Sequence, residues 1–331
     1  MQIQGMSYLR GERRWHWAEV LFWLLVAGAW FVFPHNLVLG TQILIAALFA
    51  LSLDLVMGYA GIVTLGHAAF FGIGAYTAGK LGQQGWSEPL TGLAISGMAA
   101  AAIAALTARL VCRGNDLSRL MITLGLGMLF FEIANKASEW TGGLDGMLDI
   151  VIAPLFGIIE IDMAGRVGYV YAAVILFAWF LLSRHLVRQP FGFSLQAVRL
   201  NPVRADAIGL DSARALGRVY TLSAAMAGTA GALLTQTNQY VALDVLSFQR
   251  SADVATMLII GGLGQLYGGL VGAGSFLLAQ DALAGLNPVY WQFWLGLVLI
   301  LVVLFVRGGL VELLRNGYRR LLGRTRGREE Q

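Results

Sequence analysis

Charged residues make up only 13% of this 331-residue chain, about half the share found in soluble domains. That scarcity excludes a soluble globular protein. A single cysteine, Cys112, excludes an internal disulfide framework and a cysteine-based metal cluster, and four scattered histidines do not make a zinc site. No G-x-G-x-x-G opens a nucleotide-binding unit, no H-E-x-x-H is present, and no Ser/His/Asp set is grouped in a polar stretch. GAYTAGK at residues 74–80 comes nearest to a phosphate-binding loop, but Leu81 follows where Ser or Thr is required, and no buried strand precedes it. The chain is therefore not expected to be an enzyme, to bind a cofactor or metal, or to meet nucleic acid.

Apolar sequence fills the space. Hydrophobic residues reach 57%, and about 20 of them in a helix cross a hydrocarbon core ~30 Å thick. We read an all-α integral membrane protein, a single transmembrane domain over residues 1–331, with about ten spans (eight to ten). They lie near residues 17–33, 37–57, 62–80, 90–107, 119–133, 168–183, 219–236, 252–265, 268–283 and 291–306. The intervening basic residues sort by side. Nineteen of the 23 Lys and Arg fall in the start, in residues 109–119 and 184–218 and in the tail 307–331, leaving Lys80, Lys136, Arg166 and Arg250 for the other side. By the positive-inside rule this places both termini in the cytoplasm.

Two glycine-rich stretches interrupt the apolar runs. Residues 53–79, LDLVMGYAGIVTLGHAAFFGIGAYTAG, carry six glycines with Asp54 and His67. A plain lipid anchor needs none of these, whereas a helix that packs closely or breaks beside a cavity does. Gly58, Gly61 and Gly66 mark the expected break. The second stretch, GGLGQLYGGLVGAG at residues 261–274, includes Gly261, Gly262, Gly264 and Gly268, the last two at G-x-x-x-G spacing. Both clusters are expected beside a translocation path. Asp54 and His67 are read as polar fasteners for the glycine-rich helix, with proton coupling as the alternative. Glu132 and Asp281, near the outer ends of their spans, receive no function.

In the cytoplasmic segment 184–218, Asn201 and Pro202 form a helix-start signal, and Gly209 is suited to a left-handed C-terminal cap. Asp211 or Ser212 can cap the next span. One short isolated helix is expected, either as a docking element with Arg199, Arg204 and Asp206 as contacts, or as a basic loop held by anionic lipid.

Three passages resemble one family. GYAGIVTLGHAAFFGIGAYTAG (58–79), RADAIGLDSARALGRVYTLSAAMAGTAGAL (204–233) and MLIIGGLGQLYGGLVGAG (257–274) are similar, in order and spacing, to the permease subunits of branched-chain amino-acid ABC importers of the leucine/isoleucine/valine type. TGGLDGM at residues 141–147 is similar to an outer-loop motif of that family. The resemblance implies a type II ABC importer-like permease in the bacterial inner membrane. Its partners would be a second, paralogous permease, two cytoplasmic ATPases and a periplasmic substrate-binding protein. It also implies that residues 202–209 are the coupling helix. Relatives commonly carry an acidic pair around the position of Asn201, where this chain has Leu200 and Pro202, so acidic contacts do not carry over. The GHAAFF form leans toward amino acids and away from the urea-type branch. Other substrates in the same family, namely urea, short-chain amides or aromatic acids, form one alternative; a proton-coupled secondary transporter or a structural scaffold forms another.

Overall fold

The computed structural model describes residues 17–86, 88–112, 114, 116–154, 165–288, 290–305 and 308–313. The expected basic start and most of the tail lie outside them. Among the described residues there is no strand, only an isolated bridge between Met147 and Val241. The helices are α1 (Trp17–Val32), α2 (Leu37–Leu53), α3 (Ala68–Gln83), α4 (Pro89–Cys112), α5 (Asp116–Lys136), α6 (Ser138–Thr141), α7 (Arg166–Val187), α8 (Pro190–Leu200), α9 (Pro202–Ala207), α10 (Ser212–Asn238), α11 (Phe248–Gly261), α12 (Leu266–Leu286) and α13 (Trp291–Phe305).

Helix α10 forms the centre of the bundle, packed on α3, α4 and α2. Its residues are small enough for backbones to meet, as at Gly228 against Ala100 of α4 and Gly231 against the Phe71 carbonyl of α3. Buried hydroxyls and amides then tie the helices. Thr235 Oγ1 donates to the Ala75 carbonyl at 3.0 Å, and Gln236 Nε2 to the Pro89 carbonyl at 2.8 Å. Along α2, Leu48, Leu51 and Leu53 are fully buried. Helix α1 is joined to α7 by a buried ion pair, Glu19 to Arg184 at 2.6 Å, beside the edge-on rings of Trp23, Phe177 and Phe180.

Five helical stretches have the length and apolar character to cross a membrane: Leu37–Tyr59, Pro89–Cys112, Asp116–Lys136, Arg166–Val187 and Leu266–Leu286. The chain is a multi-pass membrane protein. The other expected spans take different forms. Helices α3 and α11 have only 16 and 14 residues, too short to cross ~30 Å at ~1.5 Å per residue, and α1 and α13 are short apolar helices. Helix α10 is long but largely enclosed by its neighbours.

Candidate functional site

The first glycine-rich stretch changes winding three times. Helix α2 passes at Asp54 into a wider π-wound segment, Asp54–Tyr59, a feature frequent at functional sites. The chain is non-helical from residue 60 to 67, turning at Gly61 with φ of 75°, and α3 begins at Ala68. A helix start inside the protein needs partners for its free N–H groups. Ser251 of α11 supplies one, its Oγ accepting from the Ala68 N–H at 3.0 Å.

Asp54 sits fully buried at the break. Its Oδ1 accepts from the Gly264 N–H at 2.7 Å, which fastens α2 to the turn between α11 and α12. Gly58 lies between them, where a Cβ would strike the Asp54 carboxylate and come within 2.5 Å of the Gly264 nitrogen. From the other side Arg199 of α8 donates through Nη1 to the Gly58 carbonyl, within electrostatic reach of Asp54. Its stem lies over Gly61, where a Cβ would be 2.8 Å from Arg199 Cγ. The structure thus brings together Asp54, Gly58, Gly61, Gly264 and Arg199, a polar latch joining both glycine clusters to the segment that precedes α9. Gly261, Gly262 and Gly268 lie one step away and close the α11–α12 hairpin, with Gly261 against the Gly268 carbonyl and Gly268 against the Gly262 carbonyl.

Gly66 and His67 stand apart from the latch. Gly66 admits the Thr123 carbonyl of α5. His67, 1% exposed, stacks on Phe49 with ring centroids 5.5 Å apart. Its Nε2 lies 2.9 Å from Ser52 Oγ and 3.4 Å from Ser223 Oγ. Both hydroxyls already donate to carbonyls, Ser52 to Phe49 and Ser223 to Ser52. A hydroxyl has one proton to give, so Nε2 is the donor, and the imidazole ties α2, α3 and α10.

The segment between α7 and α10 contains two helices where one was expected. Pro190 opens α8 as Pro202 opens α9, each at the position where a missing N–H costs nothing. Asn201, extended at φ −162° and ψ 102°, forms the bend, and its Oδ1 caps α9 by accepting from the Arg204 N–H at 3.0 Å. Helix α9 ends before Gly209, whose φ is 89°. Asp206 Oδ1 accepts from the Ser212 N–H at 3.0 Å, and the Ser212 hydroxyl and amide hold the Asp206 carboxyl below its ordinary range. Arg204 and Asp206 are otherwise exposed, as are Leu200, Val203 and Ile208.

At the other end of α2 a cavity of about 340 Å³ lies among α2, α3, α10, α11 and α12. Phe49, Phe71 and Phe276 form part of its wall, and Asp244, Arg250 and Asp253 its polar part.

Residues 37–303 match the family described as branched-chain amino acid transport system, permease component. The chain belongs to that family. It is 26% identical, over 330 aligned residues, to the "High-affinity branched-chain amino acid transport system permease protein LivM" of Salmonella typhimurium. With the protein of the same name from Escherichia coli the identity is 27%. Each alignment covers 92% of this chain and 77% of the relative. No solved structure matches.

Sequence reasoning missed two polar groupings of this permease. Glu19 was absorbed into an apolar run, although an acid there calls for a cation, and Arg184 supplies it. Arg250 and Asp253 straddle the boundary between a polar loop and an apolar run in the sequence, and their i, i+3 spacing on α11 puts both on one face.

Proposed function

We propose that this chain is the permease subunit of an ATP-driven importer of branched-chain and other hydrophobic amino acids in the bacterial inner membrane. In this reading both termini are cytoplasmic, and a second, paralogous permease completes the path. Two cytoplasmic ATPases drive it, and a periplasmic binding protein delivers the substrate. The chain hydrolyses nothing itself.

The observation that carries the coupling part of this reading is the latch. Helix α9 and its flanks present Leu200 at the end of α8, Val203, and Ile208 just past α9, each more than three-quarters exposed, beside Arg204 and Asp206. Apolar groups bared on a capped helix suit a protein partner better than water. An ATPase seated on α9 would move α8 through the Asn201 bend. Arg199 would carry that movement to Gly58, and Asp54 on to Gly264, so α2, α11 and α12 would shift together. The π-wound segment and the glycine contacts allow two packed arrangements to interchange without unwinding a full helix. His67 would hold α3 to α2 and α10 during this change.

The test is uptake of radiolabelled leucine into proteoliposomes. Uptake should require ATP, the ATPase subunits and the binding protein. Uptake sustained by a pH gradient with the ATPases omitted would show a proton-coupled carrier instead.

A further inference from the structure

The cavity at the far end of α2 is unused by the latch. Gln42, which lines it, precedes Asp54 by twelve residues, or roughly 18 Å at the helical rise of ~1.5 Å. Its volume of about 340 Å³ falls at the small end of the ~300–1,000 Å³ range of small-molecule sites. We propose that it is a zwitterion site on the import path. Arg250 takes the carboxylate of an α-amino acid, Asp253 takes its ammonium group, and Phe49, Phe71 and Phe276 enclose an apolar side chain. The proposal deepens the transport reading above and rests on it.

Helix α11 sorts the wall by chemistry. Arg250, Asp253, Val254 and Met257 all line the cavity, at i, i+3, i+4 and i+7 along one face. The charged pair stands in the first turns of α11, and the apolar pair follows about one turn further along it. A molecule with both charges at one end and hydrocarbon at the other fits this gradient in one orientation. The charged groups also have capacity to spare. Arg250 donates through Nη2 to Asp244 at 2.7 Å and lies within electrostatic reach of Asp253, and its remaining donors make no hydrogen bond among the described residues. A guanidinium binds a carboxylate through two parallel hydrogen bonds. Asp253 accepts from Gln249 at 2.8 Å through Oδ1, while Oδ2 has no partner among the described residues. A wall with a cation and an acid side by side, backed by aromatic rings, does not suit urea, which has neither charge.

The site also shares its helices with the latch. Helices α2, α11 and α12 each line the cavity and each reach the Asp54–Gly264 contact. Movement at the latch therefore reaches the walls of the cavity directly.

The test places a cysteine at Gln280, which lines the cavity and is half-buried, in a Cys112→Ala background of the complex purified from membranes. The rate of alkylation by a charged maleimide is then followed. Leucine should slow the reaction in a saturable way. Isoamylamine and 4-methylpentanoate, which each lack one charge, should protect roughly tenfold or more weakly, the loss expected when a hydrogen bond to a charged group is removed. Arg250→Gln should weaken protection by leucine to a similar degree, with Arg250→Lys intermediate. Equal protection by all three compounds, or full protection in Arg250→Gln, would overturn the zwitterion site and leave Arg250 as a tie between α11 and Asp244. Absence of any protection would overturn it as well. ATP-driven leucine uptake by the same preparation is scored separately, so failure of transport and failure of the cavity are read from different measurements.

Discussion

Gly58 is the residue on which the latch turns, because three groups converge on it and none leaves room for a side chain. A Cβ there would meet the Asp54 carboxylate and the Gly264 backbone amide together, and the hydrogen bond between them means neither can retreat without breaking it. Gly274 on α12 has the same composition-level signature, yet its nearest neighbour is Ile43 Cγ2 at 3.8 Å, an ordinary contact. Gly58→Ala should cost about 1–3 kcal/mol, as overpacking does, with a lower melting temperature and reduced import. Gly274→Ala should leave both near wild type. Thermal unfolding of the detergent-solubilised protein separates the two, and similar behaviour of both variants would contradict the role given to Gly58. The sequence marks both glycines alike. The difference lies in contacts between residues more than 200 positions apart, which no local pattern contains.

Among the elements, α9 was legible because its signals are local. Asn201, Pro202 and Gly209 specify its start and stop from adjacent residues. Helix α8 carries the same proline signal at Pro190, but the polar flanks Arg188 and Gln189 read as loop, and only the burial of Leu195 and Val198 makes the helix worth forming. The start of α3 was hidden for another reason. Residues 62–67 are apolar enough to read as membrane helix, and their irregular path is supported by Ser251, 183 positions away. The bend between α8 and α9 rests on the Asn201 cap. Asn201→Ala should cost about 1 kcal/mol locally and lower import per ATP hydrolysed, because α9 would fray where the proposed mechanism has it push. Asn201→Asp keeps an accepting oxygen and should retain the coupling. Import and ATP hydrolysis measured together in proteoliposomes check this, and equal loss in both variants would mean the cap is not what matters.

For the whole molecule, composition and the placement of charge establish a multi-pass membrane protein, and the glycine-rich stretches carry the family. Two of the expected spans, α3 and α11, have 16 and 14 residues, shorter than the stretches of 21 to 24 residues that have the length and apolar character to cross. The same shortness lets one cluster of contacts join α2, α8, α11 and α12. In the proposed mechanism Arg199 transmits movement of α8 and α9 to this cluster. The most direct test of this transmission is the number of leucine molecules imported per ATP hydrolysed by complexes carrying wild-type chain or Arg199→Gln. With the charge-assisted bond to Gly58 lost, worth about 1.5–3 kcal/mol, ATP hydrolysis should persist while import per ATP falls roughly tenfold or more. An unchanged ratio in Arg199→Gln would show that Arg199 does not transmit the movement.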